Sequence, residues 1–212
     1  MNAFLPEMLH RCAAKGQSER AVGSTHHVLF YDNLIYRKSM QPNVRELEGR
    51  DFPRLKELDD EVIQPLIIAG IVAAGRPPGS FEDMCSASMR EHLLFGLERQ
   101  KGEKLAGYVA ATLVDDWAYV EEVAVELRFR RQGLGKALMM RVIEQSRQLR
   151  LIGCSLTTDG YLLQNGEFFH SVGFRTCALP DQPPHLRQRF AVEKGIFAHP
   201  QLRVAMVLRN EG

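Results

Sequence analysis

Cysteine is scarce. The 212-residue chain holds four, Cys12, Cys85, Cys154 and Cys177, and no two share a disulfide or metal-ligand spacing. That scatter gives neither a disulfide framework nor a zinc site. It fits a reducing compartment, so a cytoplasmic location and no metal are expected. Neither sign of charge is in excess, with Lys plus Arg at 27 against Asp plus Glu at 26. Without a basic excess there is no electrostatic footprint for nucleic acid. Long hydrophobic runs are missing too. The longest, residues 66–74, falls far short of the roughly 20 residues needed to span a bilayer. No basic region followed by an apolar core opens the chain, so neither a secretory signal nor a membrane partner is expected.

What is present is ordinary for a soluble globular protein: 45% hydrophobic and 25% charged residues. The length suffices for one domain with a sizeable core, with or without an extension. Residues 1–42 read as an N-terminal extension, with a short helix over 4–14 and a strand pair over 27–36 turning at Asp32-Asn33. A domain over 43–212 follows. It opens with a strand at 43–47 and a helix from Asp51, which Pro65 is expected to interrupt before a second helical segment at 66–74. Residues 76–79 read as a loop and 80–90 as a short helix. Strands over 92–99, 105–114 and 117–125 are joined by short turns and therefore pair antiparallel. A helix over 135–150 and a strand over 152–158 form a right-handed parallel crossover. A helix at 165–172 capped by Gly173, a strand at 174–178 and a last strand at 202–208 complete the pattern. Residues 180–200 are proline-rich at both ends and basic in the middle. The fold class is α/β, a mixed and mostly antiparallel sheet with a parallel centre, flanked by helices.

One stretch concentrates the chemistry. Tyr119, Val123 and Val125 are β-formers in loose alternation, so the residues up to 125 read as a strand. Arg128, Arg130, Arg131, Gly133 and Gly135 then crowd a short turn. From Leu134 onward, Ala137, Leu138, Val142 and Leu149 recur near helical spacing. A strand ending in a Gly-bearing turn that opens a helix presents free backbone N–H groups. Those donors and the positive end of the helix dipole bind phosphate. The glycines remove side chains that would block its approach. The spacing is not the G-x-G-x-x-G of a dinucleotide site. Ala137 after Lys136, and Arg130 where a glycine would stand, also rule against a nucleotide-hydrolysing P-loop.

The segment resembles the central motif of the GCN5-related N-acetyltransferase (GNAT) superfamily, Arg/Gln-x-x-Gly-x-Gly/Ala between a strand and a helix, matched here by Arg130, Gly133 and Gly135. The likeness runs upstream through Glu121-Glu122-Val123-Ala124-Val125 and downstream to Val172-Gly173-Phe174. The resemblance implies an acetyl-coenzyme A-dependent acyltransferase acting on a primary amine of a small molecule or peptide. Arg130, Arg131, Gln132, Gly133, Leu134, Gly135 and Lys136 would grip the pyrophosphate, with Val123, Ala124 and Val125 along the pantetheine arm. Asn165, Phe168 and Phe169 would border the coenzyme from the late helix. Arg130 suits either the phosphates or a role in holding the loop. The superfamily transfers the acyl group directly in a ternary complex, so no nucleophilic cysteine is required.

Transfer to an amine needs a base for the amine, a donor for the developing oxyanion and a proton for the leaving thiolate. Glu121 and Glu122 are the candidate bases. On a regular strand they face opposite ways, and only one meets the cleft. The resemblance to polyamine-type members favours Glu121. Asp115 and Asp116 read as turn residues. They could also lend negative potential to the mouth, as could Asp59-Asp60-Glu61. The chain departs from the family where a tyrosine often serves as general acid, because Phe169 stands there. Leu162 replaces the customary asparagine, which Asn165 substitutes only if the loop is shifted. Tyr161, His170 or water would then supply the proton. That gap supports a second reading, a catalytically impaired acetyl-coenzyme A-binding sensor or scaffold. Segments 1–42 and 180–200 are expected to shape the acceptor site or a homodimer contact.

Overall fold

The computed structural model describes residues 42–70, 80–160, 163–193, 196–197 and 199–211. The expected helix at 4–14, the strand pair at 27–36, the loop at 76–79, Tyr161 and Leu162 lie outside the described residues.

The elements in chain order are β1 (Asn43–Glu46), α1 (Phe52–Ile68), α2 (Ser80–Arg90), β2 (Leu94–Glu98), β3 (Gly107–Val114) and β4 (Trp117–Val125). They are followed by α3 (Leu134–Gln148), β5 (Gly153–Asp159), α4 (Leu163–Val172), β6 (Arg175–Thr176), α5 (Pro184–Glu193) and β7 (Arg203–Arg209). The seven strands form one sheet in the order β1-β2-β3-β4-β5-β7-β6. Every pairing is antiparallel except β4 with β5, which is parallel. The expected mixed sheet with a parallel centre is therefore observed.

Each face of the sheet has its own core. On one face α3 and α4 set Leu138, Met139, Val142 and Phe169 against Phe95, Val109 and Leu156. On the other, α1 and α2 set Leu55, Leu58 and Phe81 against Leu94, Tyr108 and Ala110. Leu186 of α5 packs there with Tyr119 and Ala205. Successive residues entering β2 alternate between these cores, as Leu93, Leu94 and Phe95 illustrate.

Two expectations are corrected. Pro65 does not interrupt α1, which runs unbroken to Ile68. Its missing N–H deprives only the carbonyl one turn earlier, and it lies on the solvent side near the helix end, where water can serve that group. The segment read only as proline-rich and basic contains α5. Pro184 occupies the first helical position, where its fixed φ favours initiation.

Candidate active site

The parallel pairing that joins the two halves of the sheet is short. It covers Trp117–Tyr119 against Gly153–Ser155 and stops. Beyond it β4 stays with β3 as far as Val125, and β5 stays with β7 as far as Asp159. The sheet thus opens into a seam between residues 120–125 and 156–159. Both lips carry backbone groups with no partner across the gap.

The turn after β4 lies at one end of that seam. Gly133 precedes α3 with φ +83°, the left-handed region, and no side chain caps the helix start. The first-turn N–H groups of α3 therefore keep no intrahelical or side-chain acceptor. A Cβ on Gly133 would meet nothing within 4 Å, so the space before these donors is open. Gly135 differs: a Cβ there would come within 3.2 Å of the Phe168 ring, and this glycine lets α4 close against α3. That contact brings Phe168, with Asn165 one turn earlier on α4, beside the turn. Arg130 folds back, and its Nε donates to the Val125 carbonyl at 3.1 Å. Of the two roles open to it, the observed contact is the loop-holding one. Arg128 is engaged by Glu126 at 2.6 Å and lies over the Phe129 ring. Arg131, Gln132 and Lys136 are exposed at the turn.

The two glutamates do not face opposite ways. Across β3 and β4, Ala110 pairs with Glu122 and Ala111 with Val120, which leaves Glu121 as an extra residue in a β-bulge. Cross-strand partners share a face. Ala110 belongs to the core under α1 and α2, so Glu122 points to that side. Glu121 points there as well, because the Thr112 hydroxyl donates to its Oε1 at 2.7 Å and Thr112 is paired with Tyr119 above α5. The bulge shifts the alternation by one and brings both carboxylates to one face at the seam.

A helix absent from the sequence reading completes this side. Arg189 of α5 forms an ion pair with Glu121 and lies over the Tyr119 ring at 4.4 Å. Tyr119 Oη and Thr157 Oγ1 are 2.9 Å apart across the mouth of the seam. Burial pushes the Tyr119 phenol up to about 12, so it stays neutral through the physiological range. Thr157 also bonds Glu193 of α5, whose carboxylate shares Arg203 with Asp159. His185 anchors the start of α5 through a 2.8 Å hydrogen bond between its Nε2 and Ser155 Oγ, and its Nδ1 lies 3.9 Å from Asp115 Oδ2. Ser155 is fully buried, so this Ser–His–Asp arrangement holds a helix and is not open to substrate. The missed residues left a trace in the sequence. His185, Leu186, Arg189, Phe190 and Glu193 recur at helical spacing after Pro184, but a hydrophobic pattern cannot find a stripe that is mostly polar.

Other candidates have structural employment. Asp115 and Asp116 both have positive φ, 49° and 62°, and form a two-residue hairpin turn. Asp60 pairs with Lys56, and Glu61 accepts the Leu127 N–H. Phe169 is buried in the core, in edge contact with Phe168 and Phe174. His170 hydrogen-bonds the Phe174 carbonyl through Nδ1 at 3.0 Å, fastening the end of α4. Among the described residues, no cluster of three His, Cys, Asp or Glu could hold a metal ion, and no helix is long and apolar enough to cross a membrane.

A mixed sheet with an open parallel seam, ending at an uncapped helix behind a glycine turn, is the architecture of a class of acyl-transferring domains. Residues 73–174 match the model of the Acetyltransferase (GNAT) family. No curated protein matches it. Among solved structures it is similar to N-acetylglutamate synthase from Neisseria gonorrhoeae in complex with coenzyme A and N-acetyl-glutamate, at 21% identity and a TM-score of 0.61 over 81% of this chain. The chain spans 36% of the length of that synthase. It is similar as well to the ribosomal-protein-S18-alanine N-acetyltransferase from Escherichia coli, at 19% identity and a TM-score of 0.56, covering 81% of this chain and 97% of that one. The PaiA N-acetyltransferase from Thermoplasma acidophilum in complex with coenzyme A shares 13% identity at a TM-score of 0.54, over 81% of this chain and all of that one. At these identities the likeness concerns the fold.

Proposed function

We propose that this chain transfers an acetyl group from acetyl-coenzyme A to a primary amine of a small molecule or peptide, within one ternary complex, and that Glu121 is the general base. The observation that carries the reading is the junction of two features at one seam: the open phosphate cradle of Gly133 and the bulge that presents Glu121. Coenzyme-bound relatives of the same fold support it.

The residues fit the coenzyme. The first-turn donors of α3 suit a diphosphate, and Gly133 leaves room for it. The unpaired lip of β4 over Val123, Ala124 and Val125 suits the amide-bearing pantetheine arm, with Phe168 closing its flank. When bound, the coenzyme supplies an activated acetyl thioester.

The remaining chemistry belongs to the chain. Glu121 is half-buried at the seam, held by Thr112 and Arg189, so its orientation is set before an acceptor arrives. An acceptor ammonium must lose a proton to attack, and the Glu121 carboxylate accepts it. Glu122, brought to the same face by the bulge, adds negative potential that favours an amine. Phe169 donates no proton, and the leaving thiolate takes its proton from water.

The test is thiol release with a panel of primary amines beside a calorimetric titration of coenzyme A. Glu121→Gln is expected to lower turnover by roughly 10²–10⁴-fold with coenzyme affinity retained. An unchanged rate in that variant, with collapse in Glu122→Gln, would move the base to Glu122. Coenzyme binding with no thiol release for any amine would favour a non-catalytic coenzyme-binding module.

A further inference from the structure

The guanidinium of Arg189 stands at the candidate base itself, and it is only partly used. Its Nη2 donates to Glu121 Oε1, and its Cζ lies over the Tyr119 ring. Nη1 and Nε make no hydrogen bond among the described residues. The side chain is 35% exposed, while Glu121 is 16% exposed. A guanidinium carries five N–H donors in a rigid fork shaped to grip a carboxylate with two parallel bonds. Here one donor is taken by Glu121, and the guanidinium carbon lies over the Tyr119 ring. The remaining N–H groups, on a side chain that is partly exposed, stay available beside the base.

Building on the acetyl-transfer reading, we infer that Arg189 is a specificity-determining residue: it binds a carboxylate on the acceptor, so the preferred acceptor is a free α-amino acid. The charges explain why. Glu121 and Arg189 form a minus–plus pair in direct contact. A zwitterion with its ammonium and carboxylate one carbon apart lies against that pair head to tail. Its ammonium meets Glu121 and its carboxylate meets the unused fork, and no charge is left unpaired at a partly desolvated site. A simple amine satisfies Glu121 but adds nothing to Arg189. An ω-amino acid holds its charges too far apart to reach both. The pair also sits on two elements that hold it in place. Glu121 is on the bulge of β4, and Arg189 is one turn from the buried His185 anchor of α5.

The test uses the full chain with acetyl-coenzyme A and four free amino acids of differing side chain: alanine, phenylalanine, lysine and glutamate. Each is assayed beside its α-carboxamide and its decarboxylated amine, and β-alanine is included. The readout is the ratio of kcat/KM for the acid to that for its amide. The ratio is expected to exceed one in the parent. It should fall roughly 10- to 100-fold in Arg189→Ala, the scale of a hydrogen bond to a charged group. Arg189→Lys keeps the charge without the fork and should recover only part of it. Equal ratios in parent and variant, or acids that are poorer than their amides, overturn the proposal. A second arm titrates each amino acid calorimetrically into the protein saturated with coenzyme A. Binding that depends on Arg189, without thiol release from any amine, would sustain the carboxylate site while the transferase reading fails. Absence of both turnover and binding overturns the inference.

Discussion

Glycine shows at single-residue resolution how differently one residue type can act in this chain. A Cβ on Gly153 would lie 2.0 Å from the Leu208 carbonyl oxygen and 2.9 Å from Arg209 Cα. Both are backbone atoms of the neighbouring strand β7 and cannot swing aside. Gly153→Ala is therefore expected to force β5 and β7 apart and to cost about 1–3 kcal/mol or more. A lower urea midpoint with an unchanged slope would register it. Gly133 is the opposite case. Nothing of the protein occupies its side-chain direction, and only its φ of +83° is demanding. Gly133→Ala should cost about 1–2 kcal/mol of backbone strain while leaving the fold intact. The added methyl projects into the space assigned to the diphosphate, so coenzyme affinity should fall further than stability. Calorimetry on the folded variant checks this, and full-strength binding would remove the pyrophosphate from this turn.

At the scale of elements, α5 is the piece that closes one side of the seam and completes the candidate site. It carries Arg189 and Glu193, and its first turn is pinned by His185 to Ser155 of β5. His185 is 2% exposed, and burial holds its imidazole below the ordinary value of 6.5. The exposed Asp115 carboxylate pulls the other way, with less effect, while Arg189 adds to the lowering. The unfolded chain then binds the proton more readily than the folded one. Stability is full above about 6.5 and is lost as pH falls from there toward the lower folded value. His185→Gln can keep a hydrogen bond to Ser155 but cannot titrate. The fall in urea midpoint between pH 7.5 and pH 5.5 should therefore be smaller in the variant than in the parent. An identical fall in both would show that this histidine does not couple pH to stability.

Across the whole molecule, two separately packed cores share one sheet, and the sheet is continuous only through the short pairing of β4 with β5. Local pattern was sufficient for β2, β3 and β4, for α3 and for the crossover to β5, because short apolar runs between turn residues mark strands buried on both faces and α3 turns one apolar stripe to the core. It misled at Pro65, where a helix-breaking residue near an exposed helix end costs little, and it passed over α5, whose inward stripe is largely polar. The glycine turn ahead of α3, proposed above to hold the diphosphate, was legible because glycine spacing is a local property, set by φ and by the space a backbone needs. The relation of Glu121 to Glu122 was not. It depends on a bulge that exists only when β4 is matched against β3. Nor was Arg189 beside Glu121 visible, since 68 residues separate them along the chain. The sequence alone determined the run of strands and helices from β2 to β5, the mixed sheet and the glycine turn at the start of α3, all of which follow from short-range pattern. Tertiary structure decided which carboxylates share a face and which cation stands against them, because register and long-range packing are joint properties of segments distant in sequence.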